Sequence, residues 1–153
     1  MYDAGLRLSR TDDELKDVFL SWSRDDKSFF ASGACHILAH MFLQLHEGED
    51  WDLIYLKPKG DLPGNHFYVS NGTWAFDFNG WTREDEMLDA TLKAYREKYP
   101  DWDYERYAIE EGLIEYLKKN TGLRPPEYFP ELPWTRAYNY LKQFSSTPPD
   151  AQV

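Results

Sequence analysis

The chain carries one cysteine, Cys35, among 4 histidines and 27 carboxylates. A thiol, an imidazole and a carboxylate together can run acyl chemistry. The thiolate attacks an acyl carbon, the imidazole moves the proton, and the carboxylate fixes the tautomer of the ring. The spacing that selects His66 and Asp77 for the last two roles is local. Asn71-Gly72 is the favoured pair for a two-residue type I′ turn, because both positions need φ > 0. A turn there predicts a hairpin from His66 to Phe78, with Ser70 paired to Thr73, Val69 to Trp74, Tyr68 to Ala75, Phe67 to Phe76 and His66 to Asp77. Alternation puts Phe67, Val69, Trp74, Phe76 and Phe78 on an apolar face. His66, Tyr68, Ser70, Thr73, Ala75 and Asp77 share the other, more polar face. Opposed residues have Cβ atoms ~4.5–5.5 Å apart, so His66 and Asp77 are expected to hydrogen-bond, with the carboxylate favouring the protonated ring.

Cys35 follows the small residues Ser32-Gly33-Ala34 and opens an apolar segment running to Leu45. This reads as a central, mostly buried helix with Ser32 or Gly33 as N-cap. A thiol in the first turn gains from the positive helix end and from a nearby imidazolium. The Cys35 backbone N–H suits one oxyanion donor, with Ser32 and Asn65 as candidates for a second.

Other elements must position these groups. Thr11-Asp12-Asp13-Glu14 has the pattern of a capping box, and Leu15, Val18, Phe19 and Trp22 follow at helical spacing, predicting a helix over 12–23. Trp51 to Leu56 reads as a strand, and Pro58 to Gly64 as a loop. Thr82-Arg83-Glu84-Asp85 opens a helix with Leu88, Leu92, Tyr95 and Tyr99 on one face, ended by Pro100. Asp101 is expected to cap a further helix burying Ile109, Leu113, Tyr116 and Leu117 and stopping at Gly122. Pro125, Pro126 and Pro130 break the segment before a last helix that starts at Pro133 and turns Trp134, Ala137, Leu141 and Phe144 inward. The expected fold is α+β: one domain over 1–144 with a small antiparallel sheet of three strands, and a flexible tail over 145–153.

The length of 153 residues suits a single domain with its own core. Aromatics make up 17%, more than a small core needs, so some are expected to line a groove or an interface. A net charge of −10 repels phosphate backbones, which argues against nucleic acid and towards a cationic or neutral substrate. A single thiol rules out an internal disulfide. No apolar run reaches membrane-spanning length, and Met1 to Gly5 lacks a charged-then-apolar signal pattern, so no membrane partner and a cytoplasmic location are expected. Secretion as an effector by a signal-free route is compatible with the same sequence.

Gly33-Ala34-Cys35-His36-Ile37-Leu38-Ala39 resembles the nucleophile segment of transglutaminase-like domains, within the papain-like cysteine hydrolases. His66-Phe67-Tyr68-Val69 and Trp74-Ala75-Phe76-Asp77 are similar to their His- and Asp-bearing strands, in the same chain order. The resemblance spans residues 30–80, about a third of the chain. It implies Cys35 as nucleophile, His66 as base and acid, Asp77 as orienter, a papain-like core with the Cys-bearing helix on a small sheet, and no cofactor. The implied activity is that of a protease, amidase, deamidase or transglutaminase-like enzyme acting on a peptide, protein or small amide. Two positions depart from the papain pattern: Phe29 stands where the oxyanion Gln is found, and His36 follows the Cys where Trp is usual. Two further readings compete. His36 and His40 share a helix face at the spacing of a metal-binding pair, with His66 or Asp77 able to complete a site, although no Glu lies between them to act as base. A non-catalytic interaction module with a degenerate papain-like fold would use the Tyr and Trp excess as a binding surface. His46 lies in a polar stretch and is expected to face solvent.

Overall fold

The computed structural model describes residues 2–8, 11–111, 113–119 and 126–151. The fold is α+β, built on a five-stranded antiparallel sheet in the order β4-β3-β2-β1-β5. A 3-10 turn, Ala4–Leu8, comes first. It is followed by short helices α1 (Asp12–Lys16), α2 (Val18–Trp22) and α3 (Asp26–Ala31), and then by α4 (Cys35–Leu45). Strands β1 (Asp52–Pro58), β2 (His66–Ser70), β3 (Trp74–Asp77) and β4 (Gly80–Arg83) form a meander. Helix α5 (Glu84–Lys98), strand β5 (Tyr104–Ile109), α6 (Leu113–Lys119) and α7 (Pro133–Leu141) complete the chain.

Both faces of the sheet are covered. Leu53, Phe67, Val69 and Phe76 point to one side, where Ala39 and Phe42 of α4 close over them. Ile54, Leu56, Tyr68 and Ala75 belong to the other side and join Met87 of α5. This division follows the period-2 alternation expected for the hairpin. The register differs from the expected one. Val69 pairs with Phe76 and Ser70 with Ala75, two residues beyond the predicted partners. The reason lies in the turn. No residue other than glycine has positive φ among the described residues, so the I′ turn does not form. Within the turn, Gly72 alone is left-handed, at φ 94°. Asn71 instead uses its side chain as an acceptor for the Thr73 and Trp74 amides, at 3.0 and 2.8 Å. Its own N–H reaches the Trp74 carbonyl at 3.2 Å. The loop therefore takes up Asn71 to Trp74. The partner of each residue moves by two, which keeps the paired strand residues on their predicted faces, whereas Phe78, one residue past β3, joins the opposite side with Tyr68 and Ala75.

Other expectations are corrected in the same way. The capping box at Thr11 and Glu14 forms, but Asp17 breaks the expected 12–23 helix by bonding the Phe19 amide with its own carboxylate at 2.9 Å. Helix α4 begins at Cys35 as expected, yet its N-cap is Ala34, which makes no side-chain cap bond. Ser32 instead ends α3. The first part of the helix predicted from Asp101 is replaced by β5, paired to β1 from Leu53↔Ile109 to Pro58↔Tyr104, and among the described residues only Leu113–Lys119 is helical as expected. The cause is Trp102, fully buried against Tyr95 at 4.6 Å, whose indole N–H donates to the Pro63 carbonyl at 2.8 Å. That anchor turns the chain back along the sheet, where the alternating Tyr104-Glu105-Arg106-Tyr107 suits an edge strand. The Leu117 side chain, the stop at Gly122, Pro125 and the tail beyond residue 151 lie outside the described residues. The start of the expected tail is held: the Ser145 carbonyl accepts from the Trp81 indole at 2.9 Å. The Ser146 carbonyl lies 3.1 Å from Nε2 of His46. His46, expected in solvent, stacks on Phe42 at 3.9 Å.

Asn71→Ala is expected to lower stability by roughly 1–2 kcal/mol in urea unfolding, while Asn71→Asp, which keeps the acceptor, stays within about 0.5 kcal/mol of wild type. Equal losses for both would show that the side-chain bonds do not hold the loop.

Candidate active site

Strand β3 ends at Asp77, which is almost fully buried. Its Oδ2 accepts from the Tyr2 hydroxyl at 2.6 Å and from His66 Nε2 at 2.9 Å. Its Oδ1 accepts from the Asn79 amide at 2.9 Å. Carried along the strands, the observed register sets Asp77 level with Tyr68. The expected His66–Asp77 bond therefore forms, but as a diagonal contact rather than between opposed residues.

His66 opens β2 with 0% exposure, between the rings of Tyr68 and Phe78 at 5.9 and 6.1 Å. A carboxylate can only accept, so Nε2 is assigned the proton and Nδ1 the lone pair. Nδ1 finds no hydrogen-bond partner among the described residues. Burial pushes the His66 pKa down to about 4, and the Arg7 guanidinium adds to this; the Asp77 hydrogen bond and charge oppose it. The ring is therefore neutral at pH 7. This corrects the expectation that Asp77 would favour the protonated form, because desolvation outweighs the carboxylate.

Cys35 is the first residue of α4, half-buried, and packs with the Leu53, Phe67, Val69 and Phe76 face. By alternation His66 belongs to the opposite face. The two come to the same end of the sheet, where Arg7 lies within electrostatic range of Cys35, Asp77 and His66. Burial works against the Arg7 charge, but Tyr2, Tyr95, Asp77 and Cys35 together hold its pKa above the usual value. Tyr55 stacks on Phe67 at 4.6 Å, with Cys35 in electrostatic range and the Asn65 side chain beside its hydroxyl. Burial, with Cys35, raises the Tyr55 pKa, and Asn65 opposes the rise. Asn65 thus lies near the thiol end of the site. Asn65 and Ser32 both line a cleft of about 450 Å³ that also exposes Arg7. Phe29, at the position of the papain oxyanion Gln, is wholly in the core against Trp22, Phe30 and Phe129.

The two histidines of α4 each pack against an aromatic ring. His36 is buried with its ring 6.1 Å from Phe67, and His40 packs on Trp134 at 5.1 Å. Among the described residues no three His, Cys, Asp or Glu groups come together to hold a metal. Tyr2, Arg7 and Tyr55 were not legible as site residues. Tyr2 reaches Asp77 across 75 residues of sequence and Arg7 reaches Gly64 across 57, and no local pattern announces such contacts. No protein-family model, curated protein or solved structure matches this chain.

The neutral ring sets a pH dependence. Unfolded His66 takes up a proton as pH falls through 6.5, while the folded ring resists until about 4. Its contribution to stability is thus complete above 6.5 and lost as pH falls towards 4. At ~1.4 kcal/mol for each pH unit, the loss comes to ~3 kcal/mol. Urea unfolding at pH 7 and 4.5 is expected to show a steeper acid loss in wild type than in His66→Gln. An NMR midpoint for His66 near 6.5 would contradict the buried neutral ring.

Proposed function

We propose that this chain is a cysteine-dependent amide or acyl hydrolase or transferase. The thiol of Cys35 is the nucleophile, His66 is the base and acid, and Asp77 is the orienter. The observation that carries this reading is the His66 ring, fixed through Nε2 by Asp77 and left with a bare, buried Nδ1 lone pair at the sheet end where the only thiol begins a helix. A buried acceptor without a partner costs about 1–3 kcal/mol, so its persistence calls for an explanation. A proton acceptor waiting for a thiol supplies one.

In the proposed reaction Nδ1 takes the Cys35 proton as sulfur bonds to the acyl carbon, and then passes it to the leaving amine. Water or an amine resolves the thioester. Because the ring starts neutral, no thiolate–imidazolium pair is formed in advance. The Arg7 charge favours the thiolate as it develops. The Cys35 amide and Asn65 are the proposed oxyanion donors. Cys35 packs on one face of the sheet and His66 on the other, so the proposed reaction requires the sheet end to rearrange and bring Sγ within hydrogen-bond reach of Nδ1 when substrate binds. The reading includes a papain-like or transglutaminase-like arrangement of the helix and strands, a peptide, protein or small amide as substrate, and a reducing cytoplasmic setting that keeps the thiol available.

Iodoacetamide is the direct probe. Wild type is expected to alkylate at Cys35 well above the rate of free cysteine at pH 7, and His66→Gln at least ~10-fold more slowly, with near-UV circular dichroism confirming an intact fold. Rates equal to free cysteine in both proteins would sink the proposal.

A further inference from the structure

The cleft beside the site has a charge opposite to that of the whole chain. Its lining includes Arg7 and Lys98 and, among the described residues, no carboxylate, in a protein of net charge −10. Arg7 is 5% exposed, and its two terminal nitrogens donate to neutral oxygens, Thr91 Oγ1 at 3.0 Å and the Gly64 carbonyl at 2.7 Å, with the Tyr2 hydroxyl beside the guanidinium and the Tyr95 ring 5.3 Å from it. Its Nε has no partner, and Arg7 forms no ion pair among the described residues. A buried guanidinium with an idle N–H and no ion-pair carboxylate among the described residues is costly, and guanidinium geometry suits the two oxygens of a carboxylate or phosphate. Lys98, at the last position of α5, adds a second charge at the exposed rim, with its ammonium 5.7 Å from the Tyr99 ring. Gly64 shapes the wall. At φ 117° it packs so close to Tyr95 that a Cβ would meet the ring at 2.6 Å, and its carbonyl is thereby held against Arg7.

We propose that this cleft binds an oxyanion, and that the substrate of the Cys35 site therefore carries a carboxylate or phosphate near its scissile acyl group. The substrate assignment rests on the proposed function; the anion site does not. It reverses the preference for a cationic or neutral substrate drawn from net charge, because recognition depends on the charges lining a cleft and not on the sum over the surface.

The test is an amide NMR titration of the full chain with succinate and, separately, inorganic phosphate, with acetamide as the neutral control. Saturable shifts at Ser32, Gly64 and Asn65 are expected with one or both anions and not with acetamide. The tighter of the two identifies the source of the oxyanion. K98Q is expected to weaken the apparent affinity about threefold, and R7K, which keeps the charge but loses the fork, to weaken it further. Shifts that do not saturate, or that are unaffected by both substitutions, overturn the proposal. The iodoacetamide result is independent of this one. Saturable, substitution-sensitive binding with an unreactive Cys35 would keep the anion site and discard the catalytic reading.

Discussion

The carboxylate of Asp77 ties together parts of the chain that are far apart in sequence. Its three bonds go to the start of β2, to the N-terminal segment and to the turn before β4. The Tyr2 bond has the widest consequence, because it docks the 3-10 turn Ala4–Leu8 over the sheet end. Arg7 follows from that turn and joins Gly64, before β2, to Thr91 in the middle of α5. Loss of Asp77 would leave a buried hydroxyl and a buried ring nitrogen unpaired together, and would release the segment that carries the cation. Charge-assisted bonds inside a low-dielectric core are worth more than their surface counterparts, and they are also costlier to break.

Much of this was legible in the sequence wherever the deciding information is local. Alternation assigned each hairpin side chain to its face, the apolar run after Cys35 gave α4, and Thr11 with Glu14 gave the first cap. The register was not legible because Asn71 can serve a turn in two ways. It can enter the left-handed region or offer its side chain as an acceptor, and the dipeptide alone does not choose between them. The error was even-numbered, so faces survived it and the His66–Asp77 contact survived as a diagonal. The strand over 104–109, where a helix from Asp101 is expected, has a different origin. Tyr104 to Ile109 has no strong local preference, and the docking of Trp102 on Tyr95 and Pro63 decides the path. Tyr2 and Arg7 were invisible for the same reason, since their partners lie in other elements.

The charge state of His66 shows why residue types in the right order do not fix reactivity. A His beside an Asp suggests a raised pKa, and in a solvated pair that holds. Here the ring has no exposure, so desolvation dominates and a nearby Arg7 adds to it. A neutral base with a free lone pair is suited to removing a proton during attack, not to storing a thiolate beforehand. In the proposed reaction the cation that favours thiolate is Arg7, and the ring moves the proton.

Two of the buried polar atoms without partners, His66 Nδ1 and Arg7 Nε, belong to this one cluster around Asp77. Neither serves stability. An apolar side chain of similar volume at either position would avoid the desolvation cost, and replacement of buried charged groups in this way is often neutral or stabilising. The two atoms are also chemically complementary to a reacting acyl group, one accepting a proton and the other donating to an anion. Unpartnered groups gathered at one sheet end, with Arg7 lining the cleft there, are better explained by what they can bind than by what they hold together.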